Sequence, residues 1–347
     1  MADIKLLDCT LRDGGSVNNQ NFGYENILKI LKNLNNSNIE IVETGFLKDN
    51  VTESKDNAIA QTCRHFDFLL KEIGKKNFKA VAMIDFGKYS LDKLVSKNET
   101  LIDGIRLMFR KQDLNKIKVF SKEIKRKGYS LSLNPVSITT YRKDEIYQKD
   151  DIKALIETAN DISPDIIYII DTYGLMDTKE TKEYFEIFDK NLKEGIEIGY
   201  HTHNNLQLAF SNSIEIINSN TKRNIVIDGS LYGMGKRAGN TAIELLTDYL
   251  NRNFNKQYDL NKINDIIESV ILPMHKDYEW GYSLSHYIAA INKCHSDYVT
   301  YLKEEKNISF SQINNLLKFI PHEHKLTFNK AIIEEIYLSN FLKKMEC

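Results

Sequence analysis

Short β-rich runs alternate with helical stripes over the first three-quarters of this chain, and that alternation restricts its fold more than any other feature. The runs are Ile4–Leu7, Ile39–Thr44, Ala80–Ile84, Gly104–Phe109, Ser130–Asn134, Asp165–Ile170, Glu197–Tyr200 and Asn224–Ile227. Tyr24–Leu34 carries Ile27, Leu28, Ile30, Leu31 and Leu34 at helical spacing. Leu114–Lys127, Ile152–Asn160, Lys179–Leu192, Leu206–Ser219 and Thr241–Leu250 read the same way, and Pro164 stops one helix just before a strand. Strand and helix in alternation imply a parallel sheet. Eight such units in roughly 250 residues match a closed (β/α)8 barrel, with an open doubly wound sheet as the rival.

Polar clusters favour the closed form. Asp8–Asp13, Glu43–Thr44–Gly45, Asp85, Asn134, Asp171–Gly174, His201–Asn205 and Asp228–Asn240 each follow the C-terminal end of a run. A barrel gathers all these loops on one rim, whereas an open sheet keeps its first and last strands apart. Beyond about Asn255 the patterns are helical: Leu260–Val270, Ser283–Glu304, Ser309–Phe319 and Asn329–Leu342, with Pro273 expected at a junction and Pro321 at a break. The expected architecture is a TIM barrel over residues 1–255 with a helical C-terminal domain over 256–347.

The 347 residues suffice for both parts. A net charge of -1 gives no global attraction to nucleic acid or to an anionic membrane. Cys9, Cys63, Cys294 and Cys347 are scattered and form no Cys-x-x-Cys pair, so they read as reduced thiols. Met1-Ala2-Asp3-Ile4-Lys5 lacks a signal-peptide plan, and runs such as Ile166–Ile170 are too short to cross a bilayer. A cytoplasmic protein is expected.

The rim carries the chemistry. His201 and His203 alternate by two, so in a strand both imidazoles face one point. With Asp13 as carboxylate they form a mixed N/O set for a divalent metal: Mn2+ or Mg2+, with Co2+ or Zn2+ also open. Three protein ligands leave room for substrate oxygens and for stabilisation of an enolate. The alternative is that both histidines only line the barrel. Arg12 offers a forked cation for a carboxylate or an enolate oxygen, or a structural ion pair with Asp8 or Glu43. Asp8 and Glu43, and in the same way Asp171, suit orienting Arg12 or a water, or a buried salt bridge. Gly233–Asn240 is a glycine-rich loop before a helix, in which Lys236 and Arg237 suit a carboxylate or phosphate and Asn240 a metal. A Schiff-base lysine is not expected, because Lys79 falls at the start of its strand.

Asp8-Cys9-Thr10-Leu11-Arg12-Asp13-Gly14, His201-Thr202-His203-Asn204-Asn205, and Gly233-Met234-Gly235 with Ala238-Gly239-Asn240 resemble the motifs of the DRE-TIM metallolyases, the HMG-CoA-lyase-like family. The likeness is greatest to its 4-hydroxy-2-oxovalerate aldolase group. The resemblance implies that Asp13, His201 and His203, and in some members Asn240, bind a divalent metal, and that Arg12 stabilises an enolate. It implies a metal-dependent aldolase that makes or breaks a C–C bond through a metal-bound enolate of pyruvate or a related 2-oxo acid, with an aldehyde as the other small molecule. An acyl-CoA-dependent Claisen-condensing synthase on the same metal is an alternative. So is a subunit that mainly docks a partner enzyme through its C-terminal domain, and homo-oligomers are expected. The aldolase group carries a histidine base shortly after its Arg-Asp pair. Here Gly15-Ser16-Val17 occupies that stretch, so Tyr282, His286 and His295 are the candidates for the base.

Overall fold

In a computed structural model, residues 2–138, 149–325 and 327–345 are described; Met1 and the thiol of Cys347 lie outside them. The strands are β1 (Ile4–Asp8), β2 (Ile41–Leu47), β3 (Ile59–Ala60), β4 (Lys79–Asp85), β5 (Gly104–Phe109), β6 (Ser130–Pro135), β7 (Ile166–Asp171), β8 (Glu197–Thr202) and β9 (Ile225–Gly229). They are hydrogen-bonded in the order β1-β9-β8-β7-β6-β5-β4-β2, and β1 pairs again with β2. All these pairings are parallel, so eight strands close a (β/α)8 barrel. The two-residue β3 only adds to the flank of β2.

Strand alternation divides the side chains into two sets. One set packs outward against the helices, as Leu6, Val42, Leu107 and Ile198 do. The other fills the barrel: Leu7, Ile41, Val81, Tyr168, Ile170 and Val226 form a separate buried cluster. Tyr168 fits because position 199 is glycine; a Cβ there would sit 2.5 Å from its ring. Continuing the inward set toward the strand ends leads from apolar residues to Glu43, Arg106, His201 and Asp228. Cys9, Cys63 and Cys294 are buried and unbridged. Among the described residues no helix is long and apolar enough to cross a membrane.

Several local expectations change. Cys63–Glu72 is a helix that the strand–helix reading passed over, although Cys63, Phe66, Leu69 and Leu70 form its buried stripe. No α-helix joins β4 to β5; two single 3-10 turns, Leu91–Lys93 and Lys97–Glu99, make the connection. Ser283–Glu304 is two helices, Leu284–Ile291 and Ser296–Glu304, separated where Lys293 turns left-handed. Pro273, expected at a junction, lies where one helical element passes into the next. A π-helical turn over Ile267–Ile271 leads from the helix Leu260–Ile266 into Leu272–Asp277, where the proline occupies the first turn and its missing N–H is tolerated.

Packing also bears on the domain boundary. Tyr258, Ile263, Ile266, Val270, Ile271 and Trp280 belong to the same hydrophobic core as the barrel. A second core begins at Ile288 and runs to Ile333. We propose that the barrel unit extends to about Trp280, beyond the expected division at residue 255.

Candidate metal centre

The loop after β1 is a tight turn. The Cys9 carbonyl accepts from the amides of Arg12, Asp13 and Gly14 at 3.2, 2.8 and 3.2 Å. Asp8 holds this turn rather than Arg12: its carboxylate accepts from the Thr10 amide and hydroxyl at 3.0 and 2.8 Å. The Thr10 hydroxyl accepts in turn from the Leu231 amide at 2.8 Å, which stitches the β1 loop to the β9 loop. Arg12 and Asp13 are thereby presented over the barrel mouth.

His201 at the end of β8 and His203 just beyond it point the same way, as the alternation requires. Their Nε2 atoms lie 3.8 and 3.3 Å from Asp13 Oδ2. Each Nδ1 is directed elsewhere: that of His201 to Asp228 Oδ2 at 3.0 Å, that of His203 to the Asp171 carbonyl at 3.2 Å. Nδ1 donating in both rings leaves two Nε2 lone pairs facing one carboxylate. Donor atoms of these three residues all fall within 4.8 Å of one another. Bonds of about 2.1 Å at tetrahedral or octahedral angles would hold such atoms about 3.0–3.4 Å apart. In that tautomer Asp13 Oδ2 receives no hydrogen bond although it is buried, and Asn240 Oδ1 is likewise buried with no partner. Asn240 is held beside His203 by an isolated bridge and donates its amide to the Met234 carbonyl at 2.9 Å. Lone pairs without donors are what a cation site offers. The residues fit a divalent ion.

Beneath these ligands lies a network of charges. Glu43 Oε2 accepts from Arg12 Nε at 2.7 Å and from Arg106 Nη1 at 2.8 Å. Arg106 also donates from Nη2 to Asp228 Oδ2 and lies 4.4 Å from the centre of the Tyr168 ring. Arg12 donates from Nη1 to Asp13 Oδ1. In this network three carboxylates (Asp13, Glu43, Asp228) face two guanidiniums. Burial opposes ionisation of Asp13, yet the Arg12 guanidinium and the imidazoles hold its pKa well below the usual carboxylate range. Burial lowers that of His201 despite Asp228; for His203 the Asp13 carboxylate outweighs burial and raises it. Burial pushes Asp8 up to about 7.

Arg12, Asp13, His201 and His203 share a cavity of about 250 Å³ with Ser16, Asn134, Thr172, Asn205, Lys236 and Arg237. The candidate bases do not line it. Tyr282 is exposed, and His286 turns its Nδ1 to the Gly281 carbonyl at 3.3 Å. His295 caps the helix Ser296–Glu304 by accepting from the Asp297 amide. Asp171 accepts from the Leu175 and Met176 amides of its own turn. Of the acidic pair expected beside Arg12, Glu43 is there and Asp8 is not. Sequence reasoning missed Arg106 and left Asp228 without a role. The available signal was a charged residue on the inward parity of a barrel strand, where only a partnered charge is tolerated.

The sequence profile of the family described as HMGL-like matches residues 3–270. A 2-isopropylmalate synthase of Staphylococcus saprophyticus is 30% identical over 70% of this chain and 47% of its own, so the chain spans about half the length of that relative. A 4-hydroxy-2-oxovalerate aldolase of Geobacillus thermodenitrificans is 24% identical over 78% of this chain and 77% of its own. The solved N-terminal domain of an aldolase candidate from Bacteroides vulgatus superposes with a TM-score of 0.72 at 26% identity, covering 87% of this chain and 98% of that one.

Proposed function

The chain belongs to the HMGL-like family, and from that membership we propose that it is a divalent-metal-dependent aldolase that cleaves or forms a 4-hydroxy-2-oxo acid. The observation that carries this reading is the meeting of Asp13, His201 and His203, with ligating atoms all within 4.8 Å of one another and Arg12 in the same cavity. A divalent cation held by Asp13, His201 and His203, with Asn240 beside them, would polarise the 2-oxo group and offset negative charge on its oxygen. In cleavage, the C4 hydroxyl would give its proton to a base from solvent, the C3–C4 bond would break to leave an aldehyde at C4, and its electron pair would move to the C2 oxygen as an enolate that takes up a proton at C3. Arg12 would serve that oxygen. Glu43 and Asp13 fix its Nε and Nη1, and Nη2 is left to donate. Asp228 and the Asp171 carbonyl keep both imidazoles in the ligating tautomer.

The test is pyruvate release from 4-hydroxy-2-oxo acids, with and without chelator, in the native protein and in Asp13→Asn and His203→Ala. Loss on chelation, restoration by Mn2+ or Mg2+, and a fall of at least about a hundredfold in both variants are expected. Full activity in metal-free protein would sink the reading. The identity with a 2-isopropylmalate synthase supports a second reading, Claisen condensation of an acyl-CoA with a 2-oxo acid. Thiol release from acetyl-CoA separates the two.

A further inference from the structure

The Gly233–Asn240 loop contributes Arg237 to the metal cavity, and the aldolase reading leaves that residue without a task. The other two arginines of the site are engaged with carboxylates: Arg12 with Glu43 and Asp13, Arg106 with Glu43 and Asp228. Arg237 has no ion pair or side-chain hydrogen bond among the described residues, and its Nε is out of solvent contact with no partner. Burial lowers its pKa, and the exposed Asp297 acts on it only through space. Its backbone is left-handed, φ 65°, an unfavourable conformation for a long side chain, and is pinned where the Gly281 amide donates to its carbonyl at 3.0 Å. The side chain lines the metal cavity on one side and, on the other, a smaller cleft that includes Tyr173, Asn205, Ala289 and Cys294. A half-buried guanidinium whose Nε meets neither water nor a partner gains from a ligand that supplies a counter-charge.

We propose that Arg237 binds a second anionic group of the substrate, so that this protein selects 2-oxo acids carrying a carboxylate or phosphate beyond C3 over their neutral counterparts. The inference rests on the 2-oxo-acid reading above. Lys236, exposed at the same loop, adds long-range attraction. In the aldol direction the anion would arrive on the aldehyde, and Arg237 would position its carbonyl carbon against C3 of the enolate.

Binding to the Mn2+-loaded protein tests this by calorimetry, independently of turnover. The ligands form two pairs, 2-oxoglutarate against 2-oxovalerate and phosphohydroxypyruvate against hydroxypyruvate, with oxalate as a compact control. The native protein is expected to prefer the anionic member of at least one pair by roughly tenfold to a hundredfold, and the favoured pair identifies carboxylate or phosphate. Arg237→Gln should abolish that preference while Mn2+ and oxalate affinities stay within about twofold, and Arg237→Lys should retain part of it. A preference that survives Arg237→Gln, or equal weakening of every ligand, overturns the proposal. Mn2+ and oxalate binding with no preference in the native protein overturns it alone; no Mn2+ binding at all overturns the aldolase reading with it.

Discussion

At Asp228 a single carboxylate oxygen accepts from both His201 Nδ1 and Arg106 Nη2. It therefore sets the tautomer of one candidate ligand and anchors the buried arginine. Asp228→Asn keeps the shape and removes the charge; Mn2+ affinity should fall about tenfold to a hundredfold with the three ligands intact, measured by metal titration. An unchanged affinity would show that His201 needs no such partner. Asp8 makes a different prediction. Its folded-state pKa is raised to about 7 from 3.8, chiefly by burial, so the fold favours its protonated form. Folding then takes up a proton between about pH 4 and 7, and Asp8's contribution to stability falls as pH rises through that window. In chelator, Asp8→Asn should gain stability relative to the native chain as pH climbs from 4 to 7, by on the order of a few kcal/mol. Parallel unfolding curves across that range would contradict the assignment. His201 and His203 were legible as a pair because alternation by two is a local property, and Asp13 by its place in the loop after the first strand. Glu43 was among the partners expected for Arg12, whereas Arg106 and the Asp228 that holds His201 were not anticipated. Glu43, Arg106 and Asp228 belong to three different strands, and Asp8 and Asp171 found local amides first.

The turns that end the strands do as much for the site as the strands themselves. Gly174 follows β7 at φ 60°, and a Cβ there would lie 2.4 Å from the His203 carbonyl oxygen. Gly174→Ala should therefore displace His203, weakening Mn2+ binding about tenfold or more and lowering stability by about 1–3 kcal/mol. Thermal unfolding and metal titration on one sample read both, and a loss of stability with normal metal affinity would separate this turn from the site. Strand positions were readable from β-rich runs and helices from their stripes. The helix Cys63–Glu72 was present in the same code and overlooked. The helix-less connection between β4 and β5 and the π-helical turn at Ile267–Ile271 were not readable, since both are set by what neighbouring elements leave room for.

Across the whole molecule, the barrel's hydrophobic layer is completed by residues beyond its last strand. Trp280 donates from its indole to the Tyr232 carbonyl at 3.0 Å and packs edge-on against His275. Burial of Tyr258, Ile263, Ile266, Val270, Ile271 and Trp280 stabilises by roughly 1.5–3 kcal/mol for each side chain, which together is comparable with the whole net stability of about 5–15 kcal/mol. A chain ending at residue 282 should keep a cooperative thermal transition and Mn2+ binding, whereas one ending at 255 should lose both. Equal behaviour of the two truncations would refute the proposed boundary near Trp280. The sequence alone determined the eight-fold alternation, the rim on which polar residues gather and the shared face of His201 and His203, because periodicity and strand parity are local consequences of backbone geometry. Only the tertiary structure decided that Arg106 joins Glu43 to Asp228, that Tyr282 and His286 stay outside the cavity, and that Arg237 enters it without a counter-charge. Those outcomes depend on which side chains closure of the barrel brings within a few ångströms, and contacts so distant along the chain leave no periodic trace in it.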